Sequence, residues 1–111
     1  MSTRATIHFE ANGQTEAIIY RHGDGYPEGL GKAFDAFLTE VENNVRDTRF
    51  SDPSYLAAKW VVWDSQNYNH RGSHPLEFLS VGVILEDPDD IEYRYHVMCN
   101  GGRPTVRVEN V

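Results

Sequence analysis

Apolar and polar positions alternate at both ends of this 111-residue chain and recur at helical spacing through its middle. Thr6-Ile7-His8-Phe9-Glu10 and Thr15-Glu16-Ala17-Ile18-Ile19-Tyr20 flank Asn12-Gly13. That pair suits a tight hairpin turn, because both central residues there take positive φ. Such a turn pairs Ala11 with Gln14 and sets Ile7 opposite Ile18. Ile7, Phe9, Ile18 and Tyr20 then form the expected core face, with Thr6, His8, Ala17 and Ile19 behind it.

From Pro27 onward, Leu30, Phe34, Phe37/Leu38, Val41 and Val45 keep the spacing of an amphipathic helix. Pro27 suits its first turn, where a missing N–H costs nothing. Ser51-Asp52-Pro53 reads as a second helix start, a capping side chain followed by proline. Tyr55, Leu56, Lys59/Trp60 and Trp63 continue at helical spacing, although Trp60-Val61-Val62-Trp63 alone also fits a buried strand. Asn67 to Pro75 is a polar loop. In Glu77 to Leu85, Leu79, Val81, Val83 and Leu85 alternate onto one side, as do Ile91, Tyr93, Tyr95 and Val97 beyond the turn Glu86-Asp87-Pro88-Asp89-Asp90. After Asn100-Gly101-Gly102-Arg103-Pro104, Val106 and Val108 mark a last strand. The expected fold is α+β: an antiparallel sheet in the order ββ-αα-βββ with two helices packed on one face. Residues 1–111 form a single globular domain, since no linker, repeat or low-complexity tract divides them.

Charge narrows the partners. Ten Lys and Arg stand against seventeen Asp and Glu, a net charge of −7 at pH 7. Phosphate-backbone affinity comes from clustered Lys and Arg, so no direct nucleic-acid binding is expected. Five acids, Glu86, Asp87, Asp89, Asp90 and Glu92, crowd into seven residues and form a candidate contact patch for a basic protein surface. Cys99 is the only cysteine, which excludes an intramolecular disulfide and points to a reducing cytoplasm. The N-terminus enters strand pattern without the apolar segment of a signal peptide. Apolar runs stay far below the roughly 20 residues of a membrane span, so no membrane association is expected.

The most distinctive stretch is Tyr20-Arg21-His22-Gly23-Asp24-Gly25-Tyr26-Pro27. It sets an imidazole and a carboxylate two residues apart between a strand end and a helix start. His22 and Asp24 are the candidate catalytic pair, because an adjacent carboxylate can orient a histidine general base. With Tyr20, Arg21 and Tyr26 they form a candidate ligand-binding set. The structural alternative is that Asp24 caps the helix while the glycines make the turn. No metal or cofactor site is expected: His70 and His74 lie four apart but near Gly72 and Pro75, and His8 and His96 stand far apart in sequence. Phosphate-loop, dinucleotide and nucleophile-elbow patterns are absent. Tyr55, Trp60, Trp63, Tyr68, Tyr93 and Tyr95 are expected to pack in the core rather than stack nucleic-acid bases.

Met1-Ser2-Thr3-Arg4-Ala5-Thr6-Ile7, Tyr20-x-His22-x-Asp24-Gly25-Tyr26-Pro27 and Leu30-Gly31 together resemble a family of small uncharacterised bacterial and phage proteins. Those proteins carry an N-terminal Ser/Gly-Thr-Arg segment and a Y-x-H-x-D-G-Y-P loop. The resemblance implies a prokaryotic or phage setting and brings no activity or cofactor. The expected function is therefore a non-enzymatic protein-binding or regulatory module. The alternative is a small enzyme or ligand-binding protein using the His22/Asp24 loop.

Overall fold

The computed structural model describes residues 2–68, 74, 76, 77 and 79–111. Strands β1 (Ala5–Ala11) and β2 (Gln14–Arg21) form the N-terminal hairpin, and a wide helical turn (Pro27–Gly31) opens into α1 (Lys32–Asn44). Next come α2 (Pro53–Asn67), β3 (Val81–Ile84), β4 (Tyr93–Met98) and β5 (Thr105–Asn110). The polar loop expected from Asn67 to Pro75 lies largely outside the described residues, His70 and Arg71 included.

The chain is α+β, with a five-stranded sheet in the order β3-β2-β1-β4-β5 and both helices contributing to one core. The sheet is mixed rather than antiparallel, because β1 and β4 pair in parallel while the other neighbours are antiparallel. The expected C-terminal meander is thus split: β3 joins β2 at one edge and β4 joins β1 in the middle. Alternation along a strand says which residues share a face, but not which strand lies beside it or in which direction. Because β3 and β4 both run parallel to β1, the segment between them must return the length of the sheet. It does so across the face away from the helices, where Asp87 meets His8 and Arg94, and Asp90 meets Arg4.

The core face of β1 is the expected one, with Ala5, Ile7 and Phe9 fully buried. On β2 the expected face is reversed. Phe9 pairs with Ala17 and Glu10 with Thr15, so Glu16 is an extra residue and Ile7 faces Ile19 instead of Ile18. One inserted residue moves every following side chain to the opposite face. Ile19 and Arg21 consequently point toward the helices, and Ile18 and Tyr20 away from them.

α1 buries Phe34, Phe37, Leu38 and Val41. α2 is a helix throughout its length and buries Pro53, Leu56, Ala57, Trp60 and Asp64. Its start is where Asp52-Pro53 places it, but the Asp52 side chain makes no cap bond and instead accepts from Arg49 at 2.9 Å. Phe34, Phe37 and Trp60 pack with ring centroids 5.0–5.4 Å apart, the spacing of favourable aromatic pairs. Burying a side chain of this size contributes roughly 1.5–3 kcal/mol. Trp60 and Tyr95 are core residues as expected, whereas Tyr55 and Tyr68 remain exposed.

The expected core stripe Leu79, Val81, Val83 and Leu85 is not core. Only Val81 packs against the cluster; Val83 is 78% and Leu85 97% exposed. Val83 lies opposite Ile19, on the helix side of the sheet, but α2 packs mainly on β2 and β1, and no described residue buries Val83.

Candidate functional site

The glycine-rich loop is built by close packing. Gly25 donates to the Thr3 carbonyl at 2.9 Å and accepts from the buried Tyr95 hydroxyl at 2.7 Å. A Cβ at Gly25 would stand 2.7 Å from Ala5 Cβ and 2.8 Å from Thr3 O, so only glycine fits without movement. Asp24 takes a left-handed φ of 53°, and its backbone carbonyl accepts from Leu30 N–H at 2.8 Å. Asp24 therefore helps anchor the opening of α1 through its main chain, which frees its carboxylate for other partners.

Those partners separate the expected site residues into two groups. The Asp24 carboxylate accepts a hydrogen bond from Tyr68, 44 residues away, at 2.5 Å, and lies 3.4 Å from the Tyr26 hydroxyl. His22 Nδ1 instead lies 3.4 Å from the Tyr20 hydroxyl. No hydrogen bond joins His22 to Asp24 among the described residues, so the expected catalytic pair is not assembled. Burial and the Asp24 bond hold the Tyr68 hydroxyl above its usual range.

Arg21 belongs with Asp24 and Tyr26 but sits deeper, as the shifted register dictates. Its guanidinium lies 3.8 Å from the Tyr68 ring centroid and 5.9 Å from that of Trp60. Its Nη1 is 3.6 Å from Asp64 Oδ1, with both side chains only 1% exposed. Ser80 donates to the other Asp64 oxygen at 2.9 Å. Burial pushes the Asp64 carboxyl above its ordinary range, and Arg21 and Ser80 offset only part of this. Arg21 Nε and Nη1, Trp60 Nε1 and Asp64 Oδ1 are buried without a hydrogen-bond partner among the described residues. Sequence inspection missed Asp64, Tyr68 and Ser80; the available signal was an acid on the buried stripe Pro53, Leu56, Trp60.

The opposite face of the sheet carries a second polar cluster. His8 and His96 are register partners with ring centroids 5.6 Å apart. His8 Nε2 contacts Asp87 at 2.8 Å, while His96 Nδ1 contacts Glu10 at 2.5 Å and its Nε2 contacts Glu109 at 2.9 Å. Arg94 bridges Asp87 at 2.6 Å and Glu109 at 3.0 Å. Burial raises the Asp87 carboxyl, but hydrogen bonds from His8 and Arg94 outweigh it and hold the group below its usual range. Bonds from His96 and Arg94 lower Glu109. The expected five-acid patch is therefore reduced: Asp87 and Asp90 are paired within the chain, leaving Glu86, Asp89 and Glu92 exposed. Among the described residues, no group of three or more His, Cys, Asp or Glu could hold a metal ion, and no helix is long and apolar enough to cross a membrane.

The outer surface between α1 and α2 forms an open groove of about 530 Å³. Phe37, Val41, Tyr55, Val62 and Trp63 supply its apolar lining, and Glu40, Asp47, Arg49 and Lys59 supply its charges. Tyr55 and Val62 are 57% and 56% exposed. Arg49 is held over the Tyr55 ring at 4.2 Å by bonds to Asp47 at 3.0 Å and Asp52 at 2.9 Å. Tyrosine, tryptophan and arginine presented in this way are the residue types that anchor protein interfaces.

No known protein family matches the sequence, and no curated protein or solved structure matches it either.

Proposed function

We propose that this chain is a small acidic protein-binding or regulatory module of bacterial or phage origin. It works in the cytoplasm without catalysis of its own. The observation that carries this reading is the α1/α2 groove, whose apolar floor and charged sides fit the apolar face of a partner helix. Its polar groups are long charged side chains, several tied to one another, rather than a converging acid–base pair. The partner would bury Tyr55 and Val62, removing apolar surface from water while Lys59 and Glu40 select its charges.

A second reading, a small ligand-binding protein, is favoured by the unpartnered buried atoms of Arg21, Trp60 and Asp64. Those side chains are sealed from solvent, whereas the groove is open, and the protein-binding reading is preferred for that reason. Comparing proteins retained from host lysate by immobilised wild type and by Val62→Glu tests the preferred reading. A species held by wild type and lost from an equally folded variant supports the groove. Identical retention by the two would refute it.

A further inference from the structure

We infer that the free edge of β3 is a second docking surface, which takes an extended, Lys/Arg-flanked segment of a partner protein as an added strand. The first observation is the backbone. Ile18, Ile19, Tyr20 and Arg21 pair with Ile84, Val83, Gly82 and Val81, and His22 N–H donates to the Ser80 carbonyl at 3.0 Å. Bonded and non-bonded pairs alternate along an antiparallel ladder. Ser80, Gly82 and Ile84 thus spend their amides on β2, while Val81 and Val83 turn N–H and C=O outward. Among the described residues, no other strand pairs with β3.

The second observation is the contrast between the two edges. The β5 edge carries Arg107 and Glu109, the kind of charge that discourages strand addition. β3 reads Val81-Gly82-Val83-Ile84, without charge or proline, and leaves Val83 and Leu85 largely exposed. An added strand would pair with the outward amides and set alternate apolar side chains beside Val83.

Charge chooses the occupant. Exposed Glu77 precedes the strand and exposed Glu86 follows it. A second copy of this chain would bring acid against acid in either strand direction, between molecules each of net charge −7. A segment with basic residues on both sides of an apolar–polar alternation matches both ends. This surface shares only the protein-binding class with the α1/α2 groove, and Val62→Glu separates the two.

The probe is a fluorescein-labelled peptide of alternating valine and threonine between paired lysines, followed by anisotropy at low and physiological salt. Saturable binding to wild type and to Val62→Glu is expected, weakening as salt rises. Val83→Pro should reduce affinity about tenfold, the effect of losing one well-made hydrogen bond, because it deletes an outward N–H and no internal one. N-methylating the central valine of the peptide makes the same test without altering the protein. The inference is overturned by absent binding, by equal binding of a glutamate-flanked peptide, or by indifference to both the proline and the N-methyl group. It is equally overturned if wild type sediments as a dimer that Val83→Pro dissociates, since the occupant is then a second copy.

Discussion

Removing the Asp64 carboxylate strands a guanidinium in the interior. Arg21 and Asp64 are each 1% exposed with 3.6 Å between Nη1 and Oδ1, so solvent cannot take over when the partner is lost. Breaking a buried pair from one side costs about 3–5 kcal/mol. The Tyr68 ring 3.8 Å from the guanidinium remains, and a desolvated cation–π contact retains up to about 2 kcal/mol. Asp64→Ala should therefore cost about 3 kcal/mol, or a fall in Tm of roughly 12 °C for a domain of this size. Asp64→Leu combined with Arg21→Met removes both charges and should recover most of that loss, because an apolar pair of similar volume often replaces a buried ion pair without penalty. Urea and thermal unfolding followed by circular dichroism at neutral pH measure all of these proteins. An Asp64→Ala cost below about 1 kcal/mol would refute the argument, as would a double variant no more stable than the sum of the single losses.

Burial pushes the Cys99 thiol up to about 11, so it should react with a disulfide reagent at pH 8 far more slowly in the folded protein than in denaturant; equal rates would contradict the packing. Gly25→Ala drives a Cβ to 2.7 Å from Ala5 and 2.8 Å from the Thr3 carbonyl, and calorimetry should show a loss of about 1–3 kcal/mol. Asp87 and Glu109 are held below their usual range by His8, Arg94 and His96. A depressed carboxylate stabilises the fold above its unfolded-state value, and that contribution is lost as pH falls through the folded-state value. Urea midpoints should thus decline from about pH 5 downward, with Asp87→Asn starting lower and declining less.

The helices were legible because their signals are local. Leu30, Phe34, Phe37, Leu38 and Val41 give a continuous stripe, and Asp52-Pro53 marks a start whatever lies beside it. The α+β class follows from the same evenly spaced signals. Pairing was not legible, since the parallel β1–β4 contact joins residues such as Ile7 and Tyr95 that no local pattern relates. A single extra residue, Glu16, then exchanged the faces of β2, which is why Arg21 proved buried and Tyr20 did not. Val83 and Leu85 looked like core because alternation reports a shared face, not whether a second layer covers it. Within the candidate loop, Asp24 meets Tyr26 and Tyr68, and Arg21 meets Tyr68, whereas His22 meets Tyr20. The unforeseen partners Asp64 and Tyr68 come from α2 and the residue after it, and only tertiary packing brings them near.

Loop and groove divide the labour differently from what the loop's composition suggested. The Asp24 carboxylate is engaged at the surface by Tyr68, while the charge of Arg21 is buried against Asp64 and Tyr68, tying β2 and the loop after it to the end of α2. The groove, by contrast, exposes Tyr55 and Val62 between α1 and α2, and no described residue covers them. A photo-crosslinking amino acid placed at position 62, and at position 107 on β5 as a reference, tests that assignment most directly in host cells. The account expects a discrete adduct from position 62 that disappears when Tyr55→Ala is added, and none of the same mass from position 107. No adduct at position 62, or the same adduct from both positions, would contradict it.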